Sequence, residues 1–487
     1  MSVIYMKNAL FSIIILLMLF GLCACGKDAK KTDGKPTVTV VEGQPIEQLD
    51  DVSVYIGVTG ESKDLGSLPA YTYNDGHVSY NKMNPGRYGQ VNHVFSNTDA
   101  ASFINYLNSL ENDGWVQYSN NIIEGTNLFA TYTKGEGSVY CYYISAKRRA
   151  YIIESPDQNL EARESDNQYQ KICDPILTQL KLPDEAYGMG YLIRLADGRF
   201  IVIDGGLRAP GDQSSKQLMD TIQKQNVLDK VTIAAWILTH PHKDHIGVAT
   251  EVLLKYKPSE LEIQRLILNF PTDDDLRMAE SDTIDDTADA GKLPTFLMAL
   301  NARWKDLPIT VCHTGQEFYF ADAKIEILRT IEDYAPKTIT SLNEYKVNGS
   351  SVVFRVEIDG QKTIFFADAS EEESEDLVKM WGSYLKSDIM QANHHGLEGG
   401  SIQLYELTDP TVVMVPGANR DVDRILEYEY SRWIWNNVSG NIREVMIYDW
   451  EQRELNLPYV PSPDTPYFSD QAKDPWGGVA HLYKTAP

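Results

Sequence analysis

The chain has 487 residues, 43% hydrophobic and 23% charged, a balance that excludes a small single module, a disordered chain and a multi-span membrane protein. Its 69 acidic residues outweigh 44 basic ones for a formal net charge of -25, which repels polyanions unless a basic patch is concentrated locally. Two or three domains are expected at this length.

In chain order, Lys7 is the only charge before an apolar run from Ala9 to Leu22 that only Ser12 interrupts. The run is short for a membrane span. It ends in Leu22-Cys23-Ala24-Cys25-Gly26, which resembles the bacterial lipoprotein cleavage box. That resemblance implies a signal peptide over residues 1–24, lipidation of Cys25 and a location at the cell membrane, facing outside the cytoplasm. Residues 25–50 are rich in Lys, Asp, Thr, Gly and Pro without apolar periodicity, the composition of a solvated tether. Of five cysteines, Cys141, Cys173 and Cys312 would then remain, enough for one disulfide and too few for a staple framework.

Residues 51–165 read as a small α+β domain. Phe103, Tyr106, Leu107 and Leu110 share one helical face, with Thr98 and Asp99 at its start and Gly114 as a stop. The β-prone runs Trp115–Tyr118, Leu128–Thr133, Val139–Ile144 and Ala150–Glu154 follow, as a helix on an antiparallel sheet predicts. Tyr140, Tyr142 and Tyr143 are expected to pack rather than to form a ligand platform.

Residues 166–487 read as the second domain. Strand-like runs at Tyr191–Leu195, Phe200–Ile203, Ile233–Leu238, Leu266–Leu268, Ile325–Leu328, Val352–Ile358, Thr363–Phe366, Val412–Val415 and Val445–Tyr448 alternate with helical segments, which predicts α/β layering. Residues 269–292 are acidic and irregular and read as a lid or insertion at a site mouth. The aromatics Tyr428, Tyr430, Trp433 and Trp435 suit a helix packed under the sheet better than a cage for a quaternary ammonium.

Three of the nine histidines fall within six residues, in Thr239-His240-Pro241-His242-Lys243-Asp244-His245-Ile246-Gly247. An apolar strand precedes this segment and a helical pattern follows it, so it is a strand-to-helix loop at a sheet edge, where ligands converge. His240 and His242 can reach one cation while Asp244 and His245 face a second, and imidazole nitrogen with carboxylate oxygen suits zinc, with manganese as the alternative.

This HxHxDH pattern resembles that of the metallo-β-lactamase superfamily. Ile201-Val202-Ile203-Asp204-Gly205-Gly206, Phe365-Phe366-Ala367-Asp368 and Asn393-His394-His395-Gly396 are similar, in order and spacing, to its further motifs. The resemblance implies an αββα sandwich preceded by the small domain, and two divalent metal ions. It implies His240 and His242 on the first metal, Asp244, His245 and His394 on the second, and Asp368 between them. Asp204 would orient the metal loop, and His395 would be a proton donor or phosphate contact, the two histidines remaining interchangeable. Many members carry a further histidine where this chain has Asn348-Gly349-Ser350-Ser351, so Asn348, Ser350 or water would complete the first site; His313 comes too early to do so. Asn419 and Arg420 would steady a substrate oxyanion or simply form a turn.

The motif set is most similar to the hydrolase domain of DNA-uptake channel proteins and to secreted phosphorylcholine esterases. The expected function is a surface-anchored, dinuclear metal-dependent hydrolase, a phosphodiesterase on an envelope or extracellular phosphate ester, small or polymeric. The charge disfavours nucleic acid as a partner. A nuclease and a lactonase or β-lactamase are the alternative enzymes, and a metal-containing binding lipoprotein is the alternative outside enzymes.

Overall fold

A computed structural model describes residues 60–461 except 75, 84–86, 156–158, 184–187, 274–275, 277–292, 334–346, 398, 418–428, 438–440 and 448–451. Cys25, Asn419, Arg420 and most of the acidic insertion therefore lie outside the described residues. No helix among the described residues is long and apolar enough to cross a membrane.

Two sheets form the middle of the second domain. The first runs in the order Ile309–Val311, Leu266–Leu268, Thr232–Ile237, Phe200–Asp204, Gly190–Arg194, Ile176–Gln179 and Arg453–Asn456, with Glu262–Ile263 also paired to Thr232–Ile237. The second runs Glu317–Phe320, Ala323–Arg329, Val353–Ile358, Gln361–Phe365, Ile389–Gln391, Val412–Val415 and Glu444–Ile447. Their inner faces meet in one apolar cluster, where Tyr191, Ile201, Ile203 and Ile237 of the first sheet join Ile325, Phe354, Phe365 and Met414 of the second. Strand Thr232–Ile237 is buried at every position because both of its faces are covered, as in parallel sheets generally.

Helices Gln213–Gln225, Lys243–Lys255 and Leu293–Arg303 cover the outside of the first sheet. Helices Glu371–Trp381, Ile402–Thr408 and Glu429–Asn436 cover the second. These layers are the expected αββα sandwich. Tyr430 and Trp433 pack into the helix-covered core, which is the structural role expected of that aromatic helix. Burying such a face supplies most of a helix's stability in a protein of this kind.

The small domain is a six-stranded antiparallel sheet in the order Ser79–Met83, Val91–Ser96, Arg149–Ser155, Gly137–Ile144, Asn127–Lys134 and Val116–Ile123. Side chains alternate between the two faces of a strand. Val139, Cys141 and Tyr143 accordingly face the helix Ala100–Asn112, which Asp99 caps by accepting from Ser102 N at 2.7 Å. Tyr140, Tyr142 and Ile144 face the other way, into the core that contains Trp381 and Leu377. The small domain is thus a fifth and sixth layer on the sandwich. Among the bonds that tie it down are Asn127 Nδ2 to Met380 O at 3.0 Å, Lys147 Nζ to Asp376 Oδ2 at 2.8 Å and Tyr142 OH to Asp333 Oδ1 at 3.1 Å. Cys141, Cys173 and Cys312 are all free thiols.

Candidate metal centre

Asp204 ends strand Phe200–Asp204, buried and with its backbone in the left-handed region at φ 49°. Its oxygens organise the histidine loop: Oδ1 accepts from Thr239 N at 2.8 Å, and Oδ2 accepts from Thr239 Oγ1 and His245 Nδ1, both at 2.7 Å. Trp236 Nε1 donates to its carbonyl at 2.7 Å. A strained backbone held by this many bonds is the mark of a functional turn. Gly188 lets the chain pass the same loop, since an added Cβ would lie 1.9 Å from Asp244 O.

The loop then delivers its side chains to one buried point. His240 Nε2 lies 3.0 Å from His242 Nδ1 and 3.8 Å from Asp368 Oδ2. His245 Nε2 lies 3.1 Å from the same Asp368 oxygen, and His395 Nε2 lies 3.2 Å from it and 3.2 Å from Asp244 Oδ2. Two donor groups result, Asp244, His245, Asp368 and His395 in one and His240, His242 and Asp368 in the other, each with its ligand atoms within 4.8 Å of one another.

The proton inventory tests whether cations fit. A carboxylate only accepts, so His245 Nδ1 keeps its hydrogen for Asp204 and, in the neutral ring, turns a lone pair at Nε2 toward Asp368. His395 Nδ1 donates to Pro416 O at 2.9 Å, which likewise leaves its Nε2 lone pair facing two carboxylates. Asp368 Oδ1 is buried without any partner. Acceptors facing acceptors in a dry site demand positive charge between them. The acid-base behaviour says the same. Burial opposes charge on His395, yet Asp368 and Asp244 push it up to about 10, and His245 rises well above the imidazole range by the same pair together with Asp204. Asp244 and Asp368, though buried, are held below the usual carboxylate range by the surrounding histidines. The residues fit a pair of divalent cations, with the second hydrogen bonds already in place to aim each imidazole.

Residues 184–417 match the family model described as the Metallo-beta-lactamase superfamily. The chain carries a metallo-β-lactamase superfamily domain. ComE operon protein 3 of Bacillus subtilis (strain 168) is 24% identical over 187 residues, 38% of this chain and 20% of that relative, so the chain spans about a fifth of the relative's length. Among solved structures, the metallo-beta-lactamase fold protein YhfI from Bacillus subtilis is 12% identical, covering 58% of this chain and 100% of that one at a TM-score of 0.35. Zn(2+)-bound PqqB from Methylobacterium extorquens is 11% identical, covering 58% and 100% at a TM-score of 0.34. The superfamily typically binds a dinuclear metal centre, and its members are generally metal-dependent hydrolases.

Within this superfamily domain the two adjacent histidines exchange the places expected of them. His395, not His394, stands with Asp244 and His245. His394 Nε2 lies 3.7 Å from Asp368 Oδ2 and 3.4 Å from Asn348 Nδ2, on a side chain 24% exposed. The cause is local: both residues adopt left-handed backbone, φ 43° and 60°, and the resulting kink swings the second imidazole inward under Pro416. Asn348 does reach the site's edge, with its buried Oδ1 unpartnered, whereas Ser350 turns away to donate to Val347 O at 2.6 Å. His313 belongs to neither donor group and pairs with Glu332 Oε1 at 2.7 Å.

Three supporting residues had no motif to announce them. Ser351 Oγ lies 3.4 Å from His240 Nδ1 and accepts from Asp368 N at 3.3 Å. Gln391 clamps the turn before Asp368, accepting from Ala367 N at 2.7 Å and donating to Ala367 O at 3.1 Å. Arg329, buried, donates to Gly349 O at 2.8 Å and fixes the turn that carries Asn348. The second serine after Asn348 was the one visible signal, because it closes the turn before an apolar strand.

Proposed function

We propose that the protein is a dinuclear metal-dependent phosphodiesterase, anchored outside the cytoplasm through Cys25 and acting on an envelope or extracellular phosphate ester. One observation carries the reading: Asp368 Oδ2 stands between both donor groups, 3.1 Å from His245 Nε2 on one side and 3.8 Å from His240 Nε2 on the other. The donor chemistry suits zinc, or manganese as the alternative. When bound, two such cations would supply a nucleophile from water near neutral pH and offset charge on a phosphoryl oxygen.

The chain's own residues do the rest. Asp204 and Pro416 fix the tautomers of His245 and His395, so both rings present Nε2 to the centre. His394, at the open side with its Nε2 accepting from Asn348 Nδ2 at 3.4 Å, takes the position of the phosphate contact first expected of His395. The acidic chain supports a substrate smaller or less anionic than DNA. Asn348, standing where the resemblance expects a histidine, weighs against a lactonase or β-lactamase.

The test is a substrate panel on the full chain loaded with zinc or manganese: bis-p-nitrophenyl phosphate, linear DNA, nitrocefin and a simple lactone. Turnover of the phosphodiester, abolished by Asp368→Ala in a variant that keeps its circular dichroism, is the expected result. Turnover of DNA, nitrocefin or lactone instead, or bound metal without turnover of any, overturns the reading. Anchoring is tested separately, since Cys25→Ala must release the protein from the membrane fraction.

A further inference from the structure

A second cavity, of about 430 Å³, lies at the seam between the small domain and the superfamily domain. Strands Val116–Ile123 and Asn127–Lys134 give one wall, the connector around Glu161 a second, and the turn from His313 to Glu317 the third.

Two buried groups facing this space lack what their chemistry requires. His313 is 1% exposed, and its Nδ1 lies 2.7 Å from Glu332 Oε1. Glu332 can only accept, so Nδ1 holds the hydrogen and the neutral ring leaves Nε2 as an acceptor. That Nε2 meets no protein partner. Glu161 is 3% exposed, and its carboxylate receives only neutral donors: Ser119 Oγ, Thr131 Oγ1 at 2.8 Å and Gln316 Nε2 at 3.1 Å. No cation among the described residues is in ion-pair contact with it; Arg265, which donates to Leu160 O at 2.7 Å, acts on it only through space. Arg163 nearby spends its guanidinium on Asp166, at 3.0 and 3.1 Å, and stacks over the Tyr118 ring at 4.3 Å.

A buried carboxylate with no cation in contact and a buried acceptor without a donor are both unfavourable, and one group satisfies both: a cation that carries N–H bonds. The cavity is far larger than a single metal ion, and neither metal donor group includes His313. Tyr140, whose ring lies 3.9 Å from the His313 ring, and Tyr118 complete the walls.

We propose that this seam cavity is a binding site for a small protonated primary amine, whose ammonium group sits between the Glu161 carboxylate and His313 Nε2. The site is separate from the metal centre, and it gives the small domain a ligand-binding role. Glu332 also accepts from Asn269 Nδ2 at 3.0 Å, and Asn269 follows strand Leu266–Leu268 beside the strand that leads into His240. An occupied seam would therefore be in bonded contact with the sheet edge that carries the metal loop.

The experiment is calorimetric titration of the full chain with n-propylamine, repeated after chelation with EDTA, with tetramethylammonium and glucose as controls. Saturable binding of propylamine that survives chelation is expected. Tetramethylammonium, which has no N–H, should bind about tenfold more weakly, and glucose should not bind. Glu161→Gln and His313→Phe should each weaken propylamine about tenfold. Should either variant fold poorly, Glu164→Lys at the exposed rim brings a like charge to the mouth and must also weaken it. Absence of propylamine binding, loss of binding on chelation, equal binding of tetramethylammonium, or affinity unchanged in the folded variants overturns the proposal.

Discussion

Asp204 Oδ2 and His245 Nδ1 face each other at 2.7 Å with neither side chain exposed to solvent. The carboxylate holds the ring's one hydrogen on the side away from the centre, and it also fixes Thr239 at the head of the loop. Losing such a partner typically lowers metal affinity by about 10- to 100-fold. Asp204→Asn should do so here while the far-ultraviolet circular dichroism stays unchanged, with affinity read by competition against a chromophoric chelator. Wild-type affinity in a folded Asp204→Asn protein would show that the loop aims itself without the carboxylate.

His394 and His395 should separate cleanly by metal content. His395→Ala removes a member of the four-residue donor group and should lower the stoichiometry by about one equivalent, the loss expected when a ligand of a closed site is deleted. His394→Ala should retain both equivalents and lose turnover, because its ring stands outside that group. Elemental analysis of the two purified variants decides the matter, and the opposite pattern would return His394 to the ligand role.

Much of this was legible in the sequence, and the misses have physical reasons. The HxHxDH segment follows a strand end where short-range order fixes it, so its spacing marked a metal loop, while Asp204 and Asp368 came from the family resemblance. Spacing could not decide between His394 and His395, because two consecutive left-handed residues reverse the usual alternation of neighbouring side chains. Strands such as Ile309–Val311 and Ile389–Gln391 have only three residues and take their strand character from the neighbours they pair with. Ser351, Gln391 and Arg329 act through bonds to backbone or ring atoms far away in sequence, and no local pattern encodes those.

Metal removal should destabilise the fold as well as silence it. Without cations, Asp244 and Asp368 remain buried with only protons on His245 and His395 to offset them. A ligand at about 100 times its dissociation constant adds about 2.7 kcal/mol to the native state. Chelation should therefore lower Tm by several degrees in differential scanning calorimetry, and zinc should restore it. An unchanged Tm would mean that protons neutralise the centre as well as metals do.

Lys147 should prove important to the seam between domains. Its Nζ lies 2.8 Å from Asp376 Oδ2, its side chain is 5% exposed, and buried Asp333 adds a second acidic charge to its surroundings. Removing one member of a buried pair costs about 3–5 kcal/mol, because the partner is left uncompensated. The partial exposure of Asp376 places Lys147→Met toward the lower end of that range, about 3 kcal/mol. Urea denaturation should show a lower midpoint, and a second transition would show that the two domains have become uncoupled.

Glu326 and Arg355 give the acid limb of stability. They face each other across neighbouring strands, with Arg355 Nη2 and Nε at 2.7 and 2.9 Å from Glu326 Oε2 and Lys324 Nζ at 3.1 Å from Oε1. Burial pushes the Glu326 carboxyl upward, but Arg355, Lys324 and the Tyr384 hydroxyl outweigh it and hold the group below its ordinary 4.5. A carboxylate depressed in the folded state contributes stability that is fully present above its unfolded pKa and is lost as pH falls through the folded value. The wild type should therefore lose stability below about pH 4.5, while Glu326→Gln, already weaker at neutral pH, should show a shallower decline over the same range. Arg355→Met should cost about 3–5 kcal/mol at neutral pH by stranding the carboxylate. Denaturant titrations of the three proteins from neutral pH into the carboxylate range measure both effects, and parallel pH profiles for wild type and Glu326→Gln would assign the acid limb to other carboxylates.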